Sequence, residues 1–441
     1  VLKISSSVSS SPVFRLSATQ LSGFIPPIIL LMPTLPLTRR EFIRRSAGGG
    51  LGLLAFTGAA PSFLAQSALA QAPGPEKDRS ILVVIQLAGG NDGLNTLIPY
   101  SDDNYYRLRP TIGLKDDLIP VNEDLAFHPS CGPLHQLYDL GQLSIVQNVG
   151  YPNPNRSHFR SSEIWETASS SDAVQHTGWL GRYFDNTCSG TPQENADPAA
   201  VHLGDIIPQS FLAERSHSVF GMNPRGRVGK RQDPAAAAYE KLLQVDHGAG
   251  SASYLQHTMM DTLVTERRVE QIITGYKAMT GYPGSQLAQS LKRVAALIHA
   301  ELETRVYFVS QGGYDTHANQ HNSHARLLGE LSAAMHAFQR DLTAHKKDDQ
   351  VLTMTFSEFG RRPSENGSGG TDHGTAAPLF VMGSPVKGGL IGNAPDLKLE
   401  SNKDLQFSTD FRRVYHTVLD RWLAADAEKI LGSAYEPLPL V

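Results

Sequence analysis

The chain has 441 residues, 39 Lys/Arg against 43 Asp/Glu, and a formal net charge of −4. Residues 1–70 carry six of the basic and one of the acidic residues, so the remaining 371 residues have a net charge of −9, an acidic balance that argues against nucleic acid or an anionic membrane as the main partner. Two cysteines, Cys131 and Cys188, can form one disulfide in an oxidising compartment but cannot build a thiolate zinc site, so any metal must be held by His and carboxylates.

Residues 1–37 are Ser-rich, with Lys3 and Arg15 as their only charges, and read as a non-native extension with Met32 as the natural start. Residues 38–70 have the three parts of a secretory signal in order. Arg39, Arg40, Arg44 and Arg45 come first, an apolar Gly-rich stretch from Ala47 to Ala60 follows, and Ala68-Leu69-Ala70 closes it. The paired arginines address the segment to the twin-arginine exporter, with cleavage expected before Gln71 and a periplasmic or secreted product. The apolar part is short for a membrane span, and nothing later in the chain approaches that length.

The remaining 71–441 exceed the roughly 250–300 residues at which single cores stop growing, so one large domain with an insertion is expected. Four apolar or β-branched runs read as buried strands: Ile81–Leu87, Leu143–Asn148, Arg305–Ser310 and Val351–Phe356, with Leu379–Met382 as a fifth. Helical patterns lie between them, including Gln286–Glu303 and Ser323–His345. Strands alternating with helices predict an α/β fold with a mostly parallel sheet covered on both faces. Residues about 190–285 break the rhythm and read as a mainly helical insertion or cap, with a helix at Ala252–Met279.

Each of the four strands runs into a Gly- or Pro-rich loop dense in chemically capable side chains. In a parallel sheet these loops gather at one edge, where ligands bind. Asp372 and His373 form an adjacent pair between glycines. His317, His321 and His324 fall at i, i+4 and i+7, and share one face if a helix starts near Thr316; Asp315 adds a carboxylate there. This set suits a divalent ion such as Zn²⁺, Mn²⁺, Mg²⁺ or Ca²⁺. Ser157 opens a helix and is either a nucleophile or simply its N-cap. Its neighbours Arg156 and His158 join it as catalytic candidates. Arg156 and Arg361 are candidate oxyanion clamps, and Glu358 is a candidate ligand or base at a strand end.

The motifs GGNDGLNTLIPY, YPNPNRSHF with a following IWE, GGYDTHANQH, TFSEFGRR and ENGSGGTDHGTAAP resemble, in order, those of the DUF1501 family of twin-arginine-exported bacterial proteins. The resemblance runs from Ile81 to Leu423. That family is similar to the alkaline phosphatase and sulfatase superfamily, which implies a three-layer α/β/α sandwich with metal at the strand ends. By this resemblance Asp92 matches a first-strand metal aspartate, and Asp372-His373-Gly374 matches a ligand loop. Asp315 with His317 or His321 corresponds to an Asp-plus-His ligand set, though without that set's usual three-residue gap. Ser157 stands near the nucleophile's place, and His416 is the nearest counterpart of a final histidine ligand. The expected activity is metal-dependent hydrolysis of phosphate or sulfate esters, small or polymeric. The alternative is a non-catalytic, metal-containing binding or envelope-assembly protein of the same fold.

Overall fold

The computed structural model describes residues 79–187, 197–204, 206–224 and 264–441. The expected extension, the twin-arginine signal, the cleavage site, Cys188, and residues 190–196, 205 and 225–263 of the expected insertion therefore lie outside the described residues.

The expected strands form where the apolar runs predicted them. They are β1 (Ile81–Ala88), β5 (Leu143–Gly150), β8 (Val306–Gly312), β9 (Val351–Phe356) and β12 (Ala377–Met382). Around them lie β2 (Leu97–Ile98), β3 (Ile119–Pro120), β4 (Ala126–Phe127), β6 (Ala200–Leu203), β7 (Val219–Met222), β10 (Arg361–Glu365), β11 (Thr371–His373), β13 (Gly389–Ile391) and β14 (Thr409–Asp410). Among the described residues, nine strands make the central sheet in the order β13-β5-β12-β9-β1-β8-β6-β7, with β14 beside β5. All its pairings are parallel except those of β12, which runs antiparallel to both β5 and β9.

Alternation along β1 shows why the run is continuously apolar. Ile81, Val83, Ile85 and Leu87 enter one core, while Leu82 and Val84 enter the other. The first core is closed by α2 (Gly132–Asp139), α5 (Gln286–His299) and α6 (Gln320–Ala344), through Leu134, Leu291 and Leu331 among others. The second is closed by α3 (His158–Thr167), α4 (Trp179–Thr187), α7 (Phe411–Thr417) and α8 (Ala427–Leu431), through Trp165, Leu180, Tyr415 and Ile430. The short α1 (Asp103–Leu108) belongs to a satellite cluster with Leu94 and Ile98. The result is the three-layer α/β/α sandwich expected.

Two features differ from the sequence reading. Part of the 190–285 range is not cap: β6 and β7 extend the central sheet in parallel. Four residues each, AVHL and VFGM, are too short for periodicity to separate them from loop. The helix expected at Ser323–His345 begins at Gln320, after the Thr316 start that a shared face for His317, His321 and His324 requires. Asn319 takes a left-handed conformation (φ 47°). The amides of Asn319 and Gln320 donate to the carbonyls of Ser368 and Gly369 at 3.1 and 2.9 Å, so a distant loop supplies the acceptors that one more helical turn would have supplied. Among the described residues no helix is long and apolar enough to cross a membrane.

Candidate functional site

The strand directions decide which loops meet. The carboxyl ends of β1, β5, β8 and β9 share one edge, and β12 starts from that same edge because it is antiparallel. The β10–β11 hairpin between β9 and β12 is thereby held over the edge, delivering Asp372 and His373 to it. The close approach has a stereochemical requirement at Gly89, where φ is +120° and a Cβ would strike the backbone at Tyr314–Asp315.

The centre of the edge is Asp315. Its Oδ1 lies 3.0 Å from His373 Nε2, 3.1 Å from His317 Nε2 and 3.5 Å from His158 Nε2. The Nε2 atoms of His317 and His373 are 2.9 Å apart. Donor atoms of His158, Asp315 and His373 all fall within 4.8 Å of one another, a group that could hold a metal ion.

Each ring is aimed by its other nitrogen. His373 Nδ1 is 2.8 Å from the Arg156 carbonyl, which can only accept, so Nδ1 carries the proton. His158 Nδ1 donates to Glu358 Oε1 at 2.9 Å, and that oxygen also accepts the Gly89 amide at 2.8 Å. His317 Nδ1 faces Asp372 Oδ1 at 3.3 Å, and Asn366 Nδ2 donates to the same carboxylate at 3.2 Å. Held this way, three Nε2 atoms converge on one carboxylate oxygen, and a cation, whether a proton on a ring or a metal, makes that arrangement attractive.

Burial works to raise the Asp315 pKa, but the hydrogen bonds from Arg361 and His373 and the Arg361 charge outweigh it and bring it to about 2. The Asp372 carboxyl is lowered by its Asn366 hydrogen bond and by His317. Both carboxylates are therefore ionised throughout the neutral range, as ligation or ring orientation requires.

The sequence candidates fall at different depths. His158, Asp315, His317 and His373 are brought together; Asp372 and Glu358 stand behind His317 and His158 as orienting carboxylates. Ser157 is the N-cap residue of α3, yet its side chain makes no capping hydrogen bond. It is exposed and flanked by Arg156 and His158, both of which touch the cluster. The Arg156 guanidinium pairs with Asp404 at 3.0 Å, while its carbonyl serves His373.

Arg361 lies beneath the site, 1% exposed. It donates to the carbonyls of Gly89, Gly90, Tyr314 and Thr371 and to Asp315 Oδ1, which ties the loops after β1, β8 and β9 together. His321 is exposed in the first turn of α6. His324 is buried and bonded to Asn91 Oδ1 at 3.0 Å, so the i, i+4, i+7 trio does not share a face toward one ion. Asp92 is fully buried, with its Oδ2 held 2.7 Å from Arg109 Nη1. His416 sits in α7 and joins no metal-holding group among the described residues. Cys131 is buried and free.

Sequence reasoning missed Arg109, Gln320 and Asn366. Asn366 had a local signal, since it opens the Gly-rich turn before Asp372-His373. Arg109 in YYRLRP had none, because a buried cation reads like any surface arginine until its partner is located.

The fold and site thus define a three-layer α/β protein with a His/Asp cluster at the carboxyl edge of its sheet. The sequence matches the family described as "Protein of unknown function (DUF1501)" over residues 79–432, and the chain belongs to that family. No curated protein matches it. Similar solved structures include the alkaline phosphatase of the Antarctic bacterium TAB5, 13% identical over 68% of this chain and 91% of that one, with a TM-score of 0.30. The PsFucS1 sulfatase from Pseudoalteromonas sp. is 9% identical over 85% of this chain and 72% of that one, with a TM-score of 0.35. A protein in the alkaline phosphatase superfamily from Vibrio parahaemolyticus is 8% identical over 71% and 62%, with a TM-score of 0.32.

Proposed function

We propose that this chain is an exported, metal-dependent hydrolase of phosphate or sulfate esters, with Asp315, His373 and His317 as metal ligands and His158 beside them as the group that moves protons. The observation that carries the reading is the convergence of three Nδ1-anchored imidazoles on the Asp315 carboxylate. The separations of 2.9, 3.0, 3.1 and 3.5 Å among these donors lie near the edge of about 3.3 Å expected for tetrahedral bonds of about 2.0–2.1 Å. A donor set richer in imidazole than in carboxylate favours Zn²⁺ or another first-row ion over Mg²⁺ or Ca²⁺. Bound there, the ion would polarise an ester oxygen and lower the pKa of an adjacent hydroxyl or water.

The chain's own groups supply the rest. With no side-chain cap from Ser157, the first-turn amides of α3 are left for an anionic group, which a phosphoryl or sulfuryl centre provides. Ser157 Oγ would bond to phosphorus or sulfur as the ester oxygen leaves and takes up a proton. Water would then cleave the Ser157 ester and restore the hydroxyl. Glu358 fixes His158 with Nε2 toward the cluster, where it can take or return that proton. Export rests on Arg39-Arg40 and the segment through Ala70.

A second reading has its own observation. If His158 also ligates, four protein donors close the ion and leave no open position, the pattern of a structural site. The chain would then be a metal-containing binding or envelope-assembly protein. The test is turnover of p-nitrophenyl phosphate, p-nitrophenyl sulfate and a wider ester panel by the purified chain and its Ser157→Ala variant. Turnover abolished by the substitution supports the hydrolase. Turnover unchanged in Ser157→Ala removes that nucleophile, and none across the panel favours the second reading.

A further inference from the structure

Asp92 sits at the carboxyl end of β1, where the sequence leads one to expect a metal ligand, but its surroundings have a different chemistry. Its Oδ2 accepts from Arg109 Nη1 at 2.7 Å, with both side chains 0% exposed. Gln320 Nε2 donates to the same oxygen. The orientation of that amide is fixed, because Gln320 Oε1 accepts from Thr371 Oγ1 at 2.7 Å and from Thr316 Oγ1 at 3.0 Å.

Arg109 cannot swing aside. Its Nε donates to the Pro363 carbonyl at 2.7 Å, its Nη2 to the Arg362 carbonyl at 2.9 Å, and its Nη1 also to Asn95 Oδ1 at 2.6 Å. Asp92 Oδ1 is buried without a hydrogen-bond partner, yet among the described residues no group of three or more metal-capable side chains includes it. The nearby His324 spends its Nε2 on Asn91 Oδ1. A divalent ion at Asp92 would have one carboxylate oxygen to bind and a fixed, buried guanidinium opposing it.

Resting on the metal reading above, we infer that the centre is mononuclear and that Arg109 stands as a resident cation where Asp92 would otherwise hold a second ion. The guanidinium also ties the β1 loop to β10 through the Arg362 and Pro363 carbonyls. Charge forming on a transferring group would then be met by the α3 amides and a single ion held by the Asp315 cluster, with no second ion at Asp92.

The test is metal stoichiometry of the purified chain, read by elemental analysis and by Co²⁺ titration of the stripped protein. Visible absorption is expected to saturate at one equivalent, with one ion retained in Asp92→Asn and none in His373→Ala. The wild-type endpoint needs no variant, so poor folding of Asp92→Asn leaves the inference open to refutation. Two equivalents in the wild type, or loss of the ion from a folded Asp92→Asn, overturns the single-ion assignment while leaving a metal centre in place. No binding at all overturns the metal reading and this inference with it.

Discussion

Replacing Arg361 by Leu removes a buried cation that bonds to the loops after β1, β8 and β9 together. Four buried carbonyls, those of Gly89, Gly90, Tyr314 and Thr371, lose a charged donor. The Tyr314 carbonyl keeps the Thr316 amide at 2.8 Å, so at about 1–3 kcal/mol for each of the other three acceptors the loss is on the order of 3 kcal/mol or more. Asp315 adds little, since its side chain is 49% exposed and water can replace the lost bond. Against a total stability of roughly 5–15 kcal/mol this is a large fraction, and the variant should be near its threshold. Urea unfolding gives the comparison, with Arg156→Ala as control: its exposed pair with Asp404 should contribute less than about 1 kcal/mol. A midpoint shift for Arg361→Leu no larger than that of the control would refute the assignment of Arg361 as the tie beneath the site.

Other consequences follow from the same geometry. His158→Ala should abolish ester turnover while the ion is retained if His158 moves protons; loss of the ion from the folded variant would place His158 among the ligands and favour the closed site. Asp315 has its pKa lowered from the ordinary 3.8 to about 2. Its stabilising contribution is therefore present above pH 3.8 and lost as pH falls toward 2. The metal-free Asp315→Asn variant should show a flatter fall in urea midpoint across that window, and an unchanged slope would contradict the Arg361 and His373 attribution. Gly89→Ala places a Cβ against the Tyr314–Asp315 backbone at φ +120°. It should lower stability by more than about 1 kcal/mol and weaken metal uptake; equal thermal midpoints for variant and wild type would count against that packing.

The parts of the site legible in the sequence were those with a local signature. ILVVIQL, LSIVQN and VLTMTF are buried on both faces, so composition alone marks them as strands. The loop-rich edge followed from strand order once parallel pairing was assumed. The direction of β12 was not legible, because a doubly buried strand has the same apolar pattern in either direction. Asp315, His317, Asp372 and His373 were flagged by residue type and position. Their division into ligands and orienting groups depends on which nitrogen of each ring meets a carbonyl or carboxylate, and spacing does not encode that. The His317/His321/His324 alignment failed because carbonyls from residues 368 and 369, far along the chain, start α6 at Gln320. The Asp92–Arg109 pair is not legible in the sequence, because a buried arginine carries no local signal.

The most direct measurement is anomalous diffraction at the zinc edge from crystals of the purified chain soaked in Zn²⁺. A peak is expected within about 2.0–2.2 Å of His373 Nε2 and Asp315 Oδ1, and none at Asp92. A peak elsewhere, or an ordered water alone between Asp315 and His373 after soaking, would contradict that placement.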